Sequence, residues 1–301
     1  MTTDLSIVIL NYNSKNFTLQ CISSIKKFSK EKLENGQYEI LVVDNLSNDG
    51  SKEFFKKIEG VTFIYNSKNL GFSKGNNSAV SKTKGRYILF LNPDTVVYKD
   101  TLSVMVDFMD THKKAGAATC KLLMGSGKID DAIHRGFPTP WNSLMYFSGI
   151  SKIFPKSKIF NGYQMGWLDM EKTHEVDVLA GAFMIVRRKA GEEIGWWDED
   201  YFFYGEDIEF CYMLKAKGWK IYYVVETSAF HHKGVTGGIR KESKEITTAD
   251  KKTKILVTNW RFNAMNIFYN KHYKNKYPFF VEWITKTAVE LKRRKSLREI
   301  Q

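Results

Sequence analysis

The chain has too few cysteines, too widely spread, to be built on disulfides or a cysteine-bound metal. Cys21, Cys120 and Cys211 are odd in number and fall in no metal-ligand spacing, which suits a reduced compartment. No apolar run reaches the roughly 18–20 residues needed to span a bilayer. The start, MTTDLSIVILNYNS, has neither a basic n-region nor a small-residue cleavage site, so no secretory leader is expected. Internal repeats and low-complexity segments are missing too. Basic and aromatic residues do not interleave on one face of a recognisable nucleic-acid-binding module, so nucleic acid is not an expected partner.

What is present suffices for a sizeable core. The chain has 301 residues, 43% hydrophobic and 14% aromatic, enough for one large or two modest domains. The net charge of +13 is unevenly spread: residues 233–301 carry 17 Lys/Arg against 6 Asp/Glu, and residues 1–232 carry 29 against 27. The basic excess therefore belongs to the tail, where an anionic surface is the simplest partner.

Four apolar runs end in an amide or an acid: Leu5–Leu10 before Asn11, Tyr38–Val43 before Asp44, Val61–Tyr65 before Asn66, and Tyr87–Leu91 before Asn92-Pro93-Asp94. Each run is short and almost wholly apolar, as in strands covered on both faces. Proline cannot donate to a ladder and restricts the residue before it, so the fourth strand stops at Asn92. Between the runs lie helical patterns, one capped by Asn13 or Ser14 and running to Phe28, another around Gly75–Lys82. This alternation predicts a parallel α/β sheet wrapped by helices, with a ligand crevice beyond the strand carboxyl ends. Further on, helices are expected at Lys99–His112 and from Glu206 to Lys217. Strands are expected at Gly116–Met124, Val176–Arg187 and Trp219–Val225. Residues 125–175, rich in Gly, Pro and aromatics, read as an irregular insertion.

The ordered set IVILNYN, LVVDNLSNDGS, NLGFSKGNN, FLNPDT, GAFMIVRR, FFYGEDIEF and HHKG resembles family 2 glycosyltransferases of the GT-A fold, nearest the bacterial rhamnosyltransferase-like branch. The resemblance covers roughly residues 5–235. It implies a mixed, mostly parallel central sheet in a catalytic domain over 1–235, with a basic, largely helical extension over 236–301. It also implies an inverting transfer of a sugar from a nucleotide-diphosphate donor to a hydroxyl. Rhamnose from dTDP-rhamnose is the expected donor, with UDP-hexose or UDP-N-acetylhexosamine as the alternative. A non-catalytic nucleotide-sugar-binding scaffold is the less favoured reading.

By the same resemblance, Asp44 would accept the N3–H of a uracil or thymine base, since a carboxylate is an acceptor only. Asn11 and Tyr12 would line the nucleoside, and Asn69, Lys74 and Asn76 would sit near ribose and diphosphate. Asp94 would coordinate Mg²⁺ or Mn²⁺, with His231 or His232 as a later ligand. Asn92 stands where the family's metal motif carries its first acid, and an amide oxygen ligates with less charge. Asp207 would be the general base and Glu206 would orient the acceptor or the base, under a run of aromatics whose desolvation raises a carboxylate pKa. Trp197, Asp198 and Tyr204 would contact the acceptor, a lipid-linked or oligosaccharide molecule.

From Tyr277 onward, Phe280, Trp283, Ile284, Ala288 and Leu291 share one helical face beside many Lys and Arg. The pattern reads as a basic amphipathic helix on an anionic membrane, or as a helix packed on the core or in a homodimer. The expected location is cytoplasmic, peripheral on the inner face of a bacterial plasma membrane.

Overall fold

A computed structural model describes residues 2–234, 238, 247 and 249–300. The first half runs β1 (Leu5–Asn11), α1 (Lys15–Phe28), α2 (Lys30–Glu34), β2 (Tyr38–Asp44), α3 (Ser51–Phe55), β3 (Val61–Tyr65), α4 (Gly71–Val80) and β4 (Tyr87–Leu91). Then come β5 (Thr95–Val97), α5 (Thr101–Thr111), β6 (Ala115–Leu123), α6 (Pro140–Ser148), α7 (Ile150–Ile153), β7 (His174–Glu175) and β8 (Phe183–Arg187). The chain continues with α8 (Arg188–Ile194), α9 (Glu206–Ala216), β9 (Lys220–His231), α10 (Lys251–His272) and α11 (Phe279–Arg298). The expected boundary after residue 235 lies outside the described residues.

One mixed sheet takes nearly all of the strands in the order β3-β2-β1-β4-β8-β6-β9-β5, with β7 against β9. The pairs β3–β2, β2–β1, β1–β4 and β6–β9 are parallel, and β8 runs antiparallel between β4 and β6. Helices cover both faces, which is why β1, β2 and β4 read as almost wholly apolar runs in which every residue but Leu10 and Glu39 is buried. Register puts Asn11 opposite Asp44, so the polar ends of neighbouring strands open on one edge.

Three element boundaries differ from the sequence reading. Ser14 does occupy the N-cap of α1 without capping it: its hydroxyl donates to Asn11 Oδ1 at 3.0 Å instead. Helix α4 begins at Gly71, four residues early. Only Phe183–Arg187 of the expected Val176–Arg187 strand joins the sheet, because Val178 donates its N–H to Arg135 and Asp177 pairs with Lys215. Strand β9 continues to His231 because a register shift against Cys120 and Lys121 carries it past the polar Glu226–Ser228 stretch.

The core joins sheet to helices through aromatic contacts. Phe90 of β4 meets Trp197 and Phe210 edge to face at 5.0 and 6.5 Å between ring centroids, geometry that the ring quadrupole favours. Phe210 lies on α9, so this cluster fixes that helix against the strand that leads into the Asp94 turn. Phe90→Ala should destabilise the fold by about 3–5 kcal/mol, read as a shift of the urea midpoint.

Candidate functional site

The carboxyl ends of β1, β2 and β4, the start of α9, the end of β9 and one face each of α10 and α11 border a single cleft of about 760 Å³. Its walls are aromatic and aliphatic, and its polar groups form three clusters.

The first cluster is an amide cradle after β2 and β3. Asn45 accepts from Asn66 Nδ2 and the Leu70 N–H, and donates to Asn69 Oδ1 and the Gly71 carbonyl. Beneath it, Asn11 donates to Asp44 Oδ2 at 3.0 Å and Asp44 Oδ1 accepts from the Ser47 N–H at 2.8 Å. Asn11 and Asp44 have no exposed surface. Their side chains organise the turn after β2 from below, whereas Tyr12, Asn45 and Asn69 face the cleft.

The second cluster is a line of alternating charges. His231 Nε2 lies 3.4 Å from Asp94 Oδ1, its Nδ1 lies 3.1 Å from Asp130 Oδ2, and Lys233 Nζ donates to Asp130 Oδ1 at 2.6 Å. Burial disfavours the imidazolium, yet the charge of Asp94 and the hydrogen bond to Asp130 outweigh it and push the His231 pKa up to about 9. Burial likewise works against ionised Asp94 and Asp130, and His231 overcomes it, holding both below the usual carboxylate range.

The third cluster opens α9. Tyr204 and Gly205 both have positive φ, +70 and +83°, turning the chain so that the helix starts into the cleft. Glycine adopts that conformation freely, and a Cβ at Gly205 would lie 2.9 Å from the Ala264 methyl. Glu206 is buried, and its Oε2 has no hydrogen-bond partner among the described residues. Burial, then the charge of Asp207, pushes its pKa up to about 8. Asp207 Oδ2 accepts from Arg135 Nη2 at 2.6 Å, and its Oδ1 accepts from the Ile208 N–H at 2.9 Å. Arg135 reaches it because Gly136 packs on the backbone of Gly162, where a Cβ would lie 2.1 Å from the carbonyl oxygen.

Of the residues singled out in the sequence, Tyr12, Asn69, Asn92, Asp94, His231, Tyr204, Glu206 and Asp207 line this one cleft. Five others do not. Lys74 points to Glu199 at 3.6 Å on the outside of α4. Asn76 turns back on its own helix to the Phe72 carbonyl. Trp197 is a core side chain packed on Phe72, Phe90 and Phe210. Asp198 pairs with Lys271 of α10 at 2.5 Å. His232 packs on Phe17 and contacts Gln20 at 3.2 Å, so of the two histidines only His231 lines the cleft. The sequence reading missed Asp130, Arg135, Trp260 and the role of Lys233. The first two sit in the irregular 125–175 stretch, where the run DDAIHR offered only its density of charge as a signal.

The tail completes the cleft. His272 Nε2 lies 2.8 Å from buried Glu209, and Trp260 stacks on Phe202 with centroids 4.3 Å apart. These contacts fix α10 on the cleft side of the sheet, and α11 lies against α10.

The model of the family described as "Glycosyl transferase family 2" matches residues 6–195. The rhamnosyltransferase WbbL of Escherichia coli (strain K12) is 26% identical over 235 residues, covering 75% of this chain and 82% of the relative. The N-acetylglucosaminyl-diphospho-decaprenol L-rhamnosyltransferase of Mycobacterium tuberculosis (strain CDC 1551 / Oshkosh) is 22% identical, covering 86% of this chain and 85% of the relative. Among solved structures, the mannosyltransferase PcManGT from Pyrobaculum calidifontis, in complex with GDP-Man and Mn²⁺, superposes with a TM-score of 0.58 at 13% identity. It covers 100% of this chain and 73% of that one. S. aureus TarS in complex with UDP gives 0.53 at 17% identity, covering 87% of this chain and 65% of that one. The fold is the GT-A fold of these neighbours.

A buried acid that resists ionisation costs stability once the unfolded chain can ionise it. Glu206 is neutral in both states below its ordinary pKa of 4.5 and is held neutral by the fold up to about 8, so stability falls with rising pH across that window. Glu206→Gln removes the penalty. The variant should match the parent near pH 4 and exceed it by at least about 1.4 kcal/mol at pH 8, measured by urea denaturation at both pH values.

Proposed function

Since the chain belongs to glycosyl transferase family 2 and is a glycosyltransferase, we propose that it transfers rhamnose from dTDP-rhamnose, with inversion, to a hydroxyl of a lipid-linked or saccharide acceptor in cell-surface polysaccharide synthesis. The observation that carries the reading is the meeting of Asp94 and Asp207, distant in sequence, on one cleft. The donor assignment rests on the rhamnosyltransferase relatives. The second reading, a UDP-hexose or UDP-N-acetylhexosamine donor, is favoured by the likeness to TarS, whose structure holds UDP.

In this reading the nucleoside lies over the amide cradle between Tyr12 and Asn69. Asp44 takes the base N3–H after the Ser47 turn shifts off its carboxylate, and Asn11 holds Asp44 in place. The acceptor hydroxyl gives its proton to Asp207 as its oxygen bonds to the anomeric carbon. The bond from that carbon to the phosphate oxygen breaks on the opposite face, and the electron pair leaves with the nucleoside diphosphate. An acceptor hydroxyl is a poor nucleophile, so the positioned carboxylate is the group the reaction needs. His231 and Lys233 stand beside the place where the leaving charge develops, where preorganised positive charge is most effective.

The family implies a divalent cation. Asp94 is a hard oxygen donor on the cleft that would hold Mg²⁺ or Mn²⁺, with the Asn92 amide beside it; His231, whose buried Nε2 has no hydrogen-bond partner among the described residues, would join only by giving up the proton that Asp94 and Asp130 hold on it. No cluster of three or more acidic, histidine or cysteine side chains suited to a metal exists among the described residues. When bound, the ion would neutralise diphosphate oxygens.

The acceptor would arrive across the outer face of α11 and the α6–α7 pair. Phe279, Phe280, Trp283, Leu291, Leu144 and Ile153 are exposed there, and Lys292 covers the Phe147 ring at 4.2 Å. No helix among the described residues is long and apolar enough to cross a membrane. An apolar surface rimmed by cations fits a peripheral seat on an anionic inner leaflet.

Asp207→Asn should abolish transfer while leaving nucleotide binding nearly intact. A thermal-shift panel of dTDP-rhamnose, UDP-glucose and UDP-N-acetylglucosamine, with and without Mn²⁺, reads donor and metal together, because a ligand raises the melting temperature by mass action. Equal loss of binding and transfer in Asp207→Asn removes the base assignment. The Phe280→Ser/Trp283→Ser double variant should sediment at least about tenfold less with phosphatidylglycerol vesicles while keeping its melting temperature; unchanged pelleting removes the membrane seat.

A further inference from the structure

Glu206 and Asp207 are adjacent carboxyls at one buried helix start, and two such groups do not both ionise cheaply. Something must decide which one carries the charge. We propose that Arg135 is the positioning residue that makes this choice, holding Asp207 as an aimed carboxylate and leaving Glu206 as the neutral acid. The proposal deepens the reading of Asp207 as the base and rests on it.

The geometry is one-sided. Arg135 Nη2 donates to Asp207 Oδ2 at 2.6 Å, with both side chains about 15% exposed. Glu206 Oε2 receives no hydrogen bond from any described residue. The guanidinium is itself fixed, through Nε to the Ala132 carbonyl at 2.8 Å and through Nη2 to the Leu179 carbonyl at 3.3 Å. It has no freedom to swing to the other acid. A planar donor held at several points aims its partner, and here that fixes one Asp207 oxygen, while the Ile208 N–H holds the other.

Other polar groups border the pair. Tyr163 lies near Arg135, and Cys211, farther along α9, is a thiol that burial pushes up to about 12. Arg261 and Tyr269 of α10 line the same cleft. Arg135 also pulls Glu206 toward ionisation, but burial and the Asp207 charge outweigh it. The result is a division of labour: an anion to take a proton, and a neutral acid with an uncommitted oxygen to donate a hydrogen bond to a sugar hydroxyl.

The test uses full-length protein and needs no substrate. Infrared difference spectra follow the C=O stretch of protonated carboxyls across pH. Wild type at pH 7 should show a protonated-carboxyl band that Glu206→Gln removes. In Arg135→Ala the pH midpoint for the pair's second protonation should rise by about 1–3 units. Millimolar guanidinium should return it at least halfway, a rescue that repair of a misfold would not give, and Arg135→Lys should move it less. If Arg135→Ala fails to fold by circular dichroism, Arg135→Gln replaces it. A band that survives Glu206→Gln, a midpoint unmoved by Arg135 substitution, or one indifferent to guanidinium overturns the proposal. Loss of transfer in Asp207→Asn is read separately, so failure of the base assignment is distinguishable from failure of the Arg135 assignment.

Discussion

Four alternating charges, Asp94, His231, Asp130 and Lys233, cross the floor of the cleft and join the loop after β4, the end of β9 and the start of the irregular segment. Each member is nearly buried, and taking such charges out of water is costly unless each is paired. The alternation meets that condition only as a set. It therefore constrains three chain segments at once. A lone ion pair on the surface would not do this, because solvent and side-chain entropy would cancel most of its effect.

The sheet was readable in the sequence because its strands are buried on both faces and each ends in an amide or acid. The period of the apolar runs and the Pro93 stop located β1 to β4 within a residue or two. Asp94, Glu206 and Asp207 were singled out through the family resemblance, and the structure sets them at the ends of regular elements on one cleft. Asp130 and Arg135 were not. They belong to a segment held by long-range contacts, among them the Arg135–Val178 bridge and the close approach of Gly136 to Gly162. No local periodicity encodes such contacts. Lys74, Asn76, Trp197 and Asp198 differ in the opposite direction: they do not line the cleft. The family resemblance implied contact with the crevice, but helix rotation and core packing turn these side chains elsewhere.

The tail shows how charge counting and packing answer different questions. Its basic excess is real, yet α10 is tied to the core by Lys271 and His272 and contributes Trp260 to the cleft wall. Only the outer face of α11 keeps the exposed aromatic side chains that the amphipathic pattern described. One stretch thus holds a helix that completes the site and a helix surface that faces away from it.

The amide cradle around Asn45 has a consequence of its own. Asn45, Asn66 and Asn69 neither gain nor lose protons at any pH the fold tolerates, and their bonds lock donor to acceptor around a closed circuit. The end of the cleft they shape should keep its dimensions from mildly acidic to alkaline buffer, like a mould cast once. Acidity would be felt some distance away, where carboxyl groups and an imidazole change form, so recognition and turnover can drift apart as a solution is titrated.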